Sequence, residues 1–217
     1  MVSRSLTFWQ PMPTPHVFAL AEAMVDHFGQ VRFVTLDVLE PGRAALGWAT
    51  ADSARVSQIH AGNPQEVRAL IEGFDGPGDV HVLPGLKPTS WLRAVQRVLH
   101  RSRARIIVMA EAALPQPGWQ AAAQHVRDRA LAAYWRGRIE LVLAMGAIGV
   151  AHYRAIGFAT AQVREFGYFP ELSAAVPPDP SDPAPGARLV FVGRLIHRKG
   201  LDVALDALAC ATTGRWT

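Results

Sequence analysis

The chain is poor in the residues that most often announce a chemistry. It has one cysteine, Cys210, which excludes an intrachain disulfide and fits a reducing compartment such as the cytoplasm. Charged residues make up 18% of the 217 and apolar residues 50%, which excludes a disordered chain and leaves material for a sizeable core. No apolar run reaches the roughly 18 residues a membrane-crossing helix needs. The apolar run near the N-terminus is broken by Pro11, Pro13 and Pro15 before a signal-peptide core can form. The sequence contains no CxxC, HExxH, GxSxG or Walker-type loop, and no GxGxxG after any early strand. Internal repeats and coiled-coil heptads are absent, and so is the basic–aromatic interleaving of a nucleic-acid module. The net charge of +4 allows an acidic partner without demanding nucleic acid.

Strand-like apolar runs alternate with helical patterns along most of the chain. The pattern predicts strands at Leu6–Trp9, Val31–Leu36, Val56–Ile59, Val80–Leu83, Arg105–Met109, Leu141–Met145 and Gln162–Phe166. It predicts helices at Val17–His27, Pro64–Phe74, Thr89–Arg101, Trp119–Arg136 and Gly149–Ile156. Such alternation implies an α/β fold, a doubly wound parallel sheet covered on both faces. The composition then changes: Pro177, Pro178, Pro180, Pro183 and Pro185 crowd together, as in a semi-rigid linker. The expected division is a Rossmann-like domain over 1–170, a linker over 171–187, and the start of a second domain over 188–217.

That last stretch is the most specific. The apolar run Leu189 to Val192 reads as a strand, and Gly193 and Arg194 follow at once. Lys199-Gly200 opens a helix with Leu201, Ala204, Leu205 and Leu208 at helical spacing. A strand, a glycine turn and a helix start gather backbone N–H groups where the helix dipole favours an anion, and two cations there suit a pyrophosphate. The wording Phe191-Val-Gly-Arg…Lys199-Gly-Leu-Asp-Val-Ala-Leu-Asp-Ala-Leu208 resembles the start of the second domain of GT-B glycosyltransferases of the retaining family numbered four.

That resemblance implies a two-domain enzyme moving a sugar from a nucleoside-diphosphate sugar to a glycan or lipid-linked acceptor in polysaccharide or glycoconjugate biosynthesis. Gly193, Arg194, Lys199 and Gly200 would hold the donor diphosphate, the first domain would supply the acceptor site, and no metal would be required. No catalytic residue is assigned. Because the resemblance ends after the first strand and helix of the second domain, the chain reads as a truncated product, inactive alone. The expected location is the cytoplasm, with peripheral contact at the inner face of the membrane. Two other classes compete. One is a non-catalytic remnant binding glycan, lipid or a protein partner. The other is a Rossmann-type oxidoreductase, against which stands the missing GxGxxG.

Ligands of open α/β sheets sit beyond the carboxyl ends of the strands, which selects candidates for the cleft. His16 follows a proline-stiffened turn after the first strand and either lines the cleft or lies at a helix start on the surface. His81, inside a strand, reads as a hydrogen-bonded structural histidine. Glu111 stands where many members of the resembled family have a histidine, and either binds a sugar hydroxyl or caps the next segment. The small residues Gly146 to Gly149 either admit a ligand to a helix start or pack a helix tightly on its strand. Gly167-Tyr168 stands where many members have Asn-Gly beside the cleft. Arg93, Arg97 and Arg101, spaced i, i+4, i+8, form either a solvated helix face or one that meets anionic lipid.

Overall fold

The computed structural model describes residues 4–39, 41–44, 53–90, 92–114, 116–168, 189–193 and 195–210. The chain divides into two units, Met1–Ser173 and Ala174–Thr217.

The first unit is built on seven strands: β1 (Ser5–Gln10), β2 (Gln30–Thr35), β3 (Ser57–His60), β4 (Val80–Leu83), β5 (Arg105–Ala110), β6 (Ile139–Met145) and β7 (Val163–Phe166). Every pairing is parallel, in the order β3-β2-β1-β4-β5-β6-β7. The order reverses between β1 and β4, so the sheet is doubly wound with its switch point there. Helices α1 (Pro15–Ala23), α2 (Pro41–Ala44), α3 (Pro64–Glu72), α4 (Leu92–Leu99), α5 (Trp119–Trp135) and α6 (Gly146–Ala155) connect the strands.

Two apolar layers hold the sheet, and strand alternation sorts residues between them. On one face Leu6, Phe8, Phe33 and Val82 pack with Val17, Phe18 and Ala21 of α1. On the other, Ile106, Val108, Val142 and Val163 pack with Leu92, Val95 and Leu99 of α4, Ile71 of α3 and Tyr153 of α6. Burial on both sides explains why these strands are nearly continuous apolar runs. Helix α5 is the exception. Of its 17 residues, three are buried: Asp128, Ala132 and Trp135, at i, i+4, i+7.

In the second unit, residues 197–199 form a 3₁₀ turn and α7 spans Leu201–Cys210. The expected strand Leu189–Val192 does not form: these residues carry no ladder pairing and all are exposed, Val192 to 90%. A strand exists by pairing with a neighbour, and no other extended segment lies among the described residues of this unit.

Candidate functional site

A cleft of about 1100 Å³ opens in the first unit. Its floor comes from the carboxyl ends of β1 (Gln10, Pro11), β4 (Pro84, Gly85) and β5 (Ala110, Glu111), and its walls from α5 and α6. This is the crevice a doubly wound sheet offers at its switch point.

Three residues expected at the cleft meet there, each from beyond the carboxyl end of a different strand. His16, the second residue of α1, sets its ring edge-on to that of Tyr168, with centroids 4.3 Å apart. The Tyr168 hydroxyl donates to Glu111 Oε1 at 3.1 Å. Burial pushes the Tyr168 phenol up to about 12, helped by the Glu111 charge and its hydrogen bond, so Tyr168 stays a donor at neutral pH. Burial pushes His16 below its ordinary value, and the Glu111 carboxylate offsets part of that shift.

Gly146 plays a different part. It opens α6 at a φ of +64°, a left-handed position that favours glycine, and it is not among the residues lining the cleft. The close approach belongs to Gly149, where a Cβ would come within 3.2 Å of the Ala144 carbonyl carbon. Tight helix–strand packing is therefore what the small residues of α6 provide. On α4, Arg93 and Arg97 are exposed while Leu92, Val95 and Leu99 are buried; the helix ends at Leu99, so Arg101, also exposed, lies in the turn beyond it and not on the helix face expected from the sequence.

In the second unit, Arg194 lies outside the described residues. Gly193 is exposed, and its Cβ position would lie 3.4 Å from the Phe191 ring. Lys199 is exposed and ends the 3₁₀ turn, its N–H donating to the Ile196 carbonyl at 2.9 Å. Gly200 turns the chain into α7 at a φ of +66°. Asp202 stands in the first turn of α7, where its carboxylate meets the same dipole end as an incoming anion.

The sequence reading missed the α5 and α6 walls. Gln124 and Asp128 face the cleft from α5, and His152 and Tyr153 from α6. Burial raises the Tyr153 phenol and nearby Asp128 raises it further. Burial lowers His152, with Asp128 pulling it up and His125 pushing it down. A signal for Asp128 was present: it occupies a position of the buried stripe that ends in Ala132 and Trp135. Among the described residues, no group of three or more His, Cys, Asp or Glu side chains is placed to hold a metal ion, and no helix is long and apolar enough to cross a membrane.

The fold and cleft define a Rossmann-like α/β domain with its ligand crevice at the switch point. No family model matches the chain, and no curated protein matches it. Solved structures do. HepE of Anabaena, in complex with UDP and glucose, aligns at a TM-score of 0.48 and 7% identity, over 76% of this chain and 44% of its own. The NADH enoyl-acyl-carrier-protein reductase of Aquifex aeolicus aligns at 0.37 and 15%, over 67% of this chain and 72% of its own. YwfH, an NADPH-dependent reductase of bacilysin biosynthesis, aligns at 0.35 and 14%, over 66% and 76%. The chain thus spans less than half the length of HepE.

Proposed function

We propose that the chain is part of a glycosyltransferase using a nucleoside-diphosphate sugar, with its first unit taking a glycan or lipid-linked acceptor in the cleft. One observation carries this choice among Rossmann-like functions. In dinucleotide enzymes the turn after the first strand cradles the pyrophosphate with backbone N–H groups on glycines. Here that turn is Trp9-Gln-Pro-Met-Pro-Thr-Pro-His16. Three of its positions have no N–H at all, and α1 starts on Pro15 with no side-chain cap from Thr14. A pyrophosphate has little to hold it there. The cleft beside the turn is lined by neutral amides, two phenols and the carboxylates Glu111 and Asp128 together with Arg43, Lys87 and Arg127, hydrogen-bonding groups of both kinds that suit a hydroxyl-rich ligand.

On this reading the diphosphate belongs to Gly193, Arg194, Lys199 and Gly200. Positive charge on the departing diphosphate would carry much of a retaining transfer, without a metal or another cofactor. The exposed arginines of α4 are the face that would meet an anionic membrane.

The test is saturation-transfer NMR with UDP-glucose and GDP-mannose, which detects weak binding. Arg194→Ala and Lys199→Ala should each weaken nucleotide-sugar binding by about ten- to a hundredfold, the worth of one charge-assisted contact. His197→Ala, in the same loop, should leave it unchanged. Equal losses in all three variants would mean a general charge effect and defeat the assignment, as would binding of NADH in preference to both sugars.

A further inference from the structure

Among the described residues of the first unit, three buried side-chain polar atoms have no hydrogen-bond partner: Gln10 Nε2, Gln124 Oε1 and Asp128 Oδ2. All three residues line the one cleft. Folded chains leave few such atoms, because burying one unpaired is costly. Finding them together at one surface points to a partner that is not part of the fold.

Each side chain is clamped by its other polar atom. Gln10 Oε1 accepts from the Thr14 hydroxyl at 3.3 Å. Gln124 Nε2 donates to the Leu114 carbonyl at 3.0 Å. Asp128 Oδ1 accepts from the Arg127 guanidinium at 3.1 and 3.2 Å. What remains is one donor and two acceptors at fixed places, and Gln10 and Asp128 are 4% and 8% exposed. Gln124 and Asp128 stand i, i+4 on α5, so they share one helix face, while Gln10 ends β1.

We propose that these three atoms form a recognition site for the hydroxyl groups of an uncharged hexopyranoside. An unpaired carboxylate oxygen calls for an O–H donor and repels phosphate or carboxylate. A sugar hydroxyl donates and accepts together, so the hydroxyls of a hexoside can donate to Asp128 and Gln124 and accept from Gln10. Leu131 and Tyr153 line the same cleft and offer apolar surface to the sugar's C–H face. His152, which burial holds below its ordinary value, is neutral at pH 7, so the charged partner of Asp128 is Arg127 on Oδ1, and Oδ2 is left for a ligand. The inference rests on reading the cleft as a carbohydrate site, and needs neither the 193–200 loop nor any transfer.

The test titrates methyl glucopyranoside, galactopyranoside and mannopyranoside against the full chain by saturation-transfer NMR, with NADH and UDP-glucose as separate arms. At least one methyl hexoside should bind in the millimolar range expected of a small polar ligand. Asp128→Asn keeps the Oδ1 acceptor but replaces Oδ2, and should weaken binding about tenfold or more. Its thermal midpoint should fall little, because Oδ2 bonds to nothing in the free protein and the Arg127 pair that loses its charge is half exposed. Gln124→Leu should weaken binding likewise, with a small drop in midpoint from the lost hydrogen bond to the Leu114 carbonyl, and stands in if the first variant folds poorly. Absence of binding by all three glycosides overturns the site. Unchanged binding in both variants does so too, as does a drop in midpoint that alone accounts for weaker binding. Glycoside binding without UDP-glucose binding would sink the glycosyltransferase reading and leave this site standing. The reverse would sink this site alone.

Discussion

His81 ties two structural layers together through one ring. Its Nδ1 accepts from the Trp9 indole N–H at 3.0 Å, and its Nε2–H donates to the Phe74 carbonyl at 2.9 Å. Burial pushes its pKa down, so it sits neutral with both nitrogens used. His81→Phe should keep the volume and strand both partners. The expected cost is about 1–3 kcal/mol, read as a lower urea midpoint with unchanged denaturant slope. An unchanged midpoint would mean that water reaches both groups. This histidine was legible in the sequence because a polar ring inside an apolar strand must find partners. Arg32 was not. Its strand reads correctly, yet the residue is 1% exposed, and its guanidinium lies 3.0 Å over the Phe74 ring and donates to Thr7 and Gln30. Phe74 is far along the chain, and no local pattern reports it.

Helices begin where the local chemistry lets them. For α3 this was readable: Asn63 Oδ1 accepts from the N–H groups of Gln65 and Glu66 at 3.0 Å each, and Glu66 Oε2 accepts from Gly62 N–H at 2.8 Å. Asn63→Ala should cost about 1 kcal/mol, measured by chemical denaturation, while Gln65→Ala should cost little. At α6 the sequence pattern starts the helix at Gly149, three residues late, because the apolar period begins there. The backbone instead turns at Gly146 through its positive φ. Gly149→Val should then destabilise by about 1–3 kcal/mol through overpacking against Ala144. A neutral result would show that α6 can lift from β6. The seven strands of the first unit were legible to within about two residues, since most are apolar runs flanked by turn residues, and the edge strands β3 and β7 keep an apolar residue among polar ones. The run Leu189–Val192 has the same composition and forms no strand. Composition permits a strand, but a partner makes one.

For the molecule as a whole, the rule that ligands lie beyond the carboxyl ends of the strands found His16, Glu111 and Tyr168. It could not find Gln124 and Asp128, which reach the cleft from a helix wall. The same cleft and core set how stability should respond to acid. His16, His81 and His152 all have pKa values lowered from 6.5, each chiefly by burial. Above pH 6.5 both folded and unfolded chains hold these rings neutral. As pH falls below 6.5 the unfolded chain takes up protons that the folded chain resists, so stability must fall with pH in that window. A second step follows at lower pH. Hydrogen bonding from Arg105 holds the Glu140 carboxyl below its ordinary 4.5. At Asp75, burial pushes the carboxyl up, but bonds from Ser102 and the N–H groups of Arg103 and Ala104 outweigh it and leave it below 3.8. The stability that these two carboxylates contribute is present above their unfolded values and lost as pH drops through the folded ones. Urea midpoints should therefore be flat between about pH 7 and 8, decline from about 6.5 downward, and steepen below about 4.5. His81→Phe should flatten the upper decline without moving the lower one. A stability maximum near pH 5 would contradict the burial of these rings, because it would require at least one of them to be charged and paired in the folded chain.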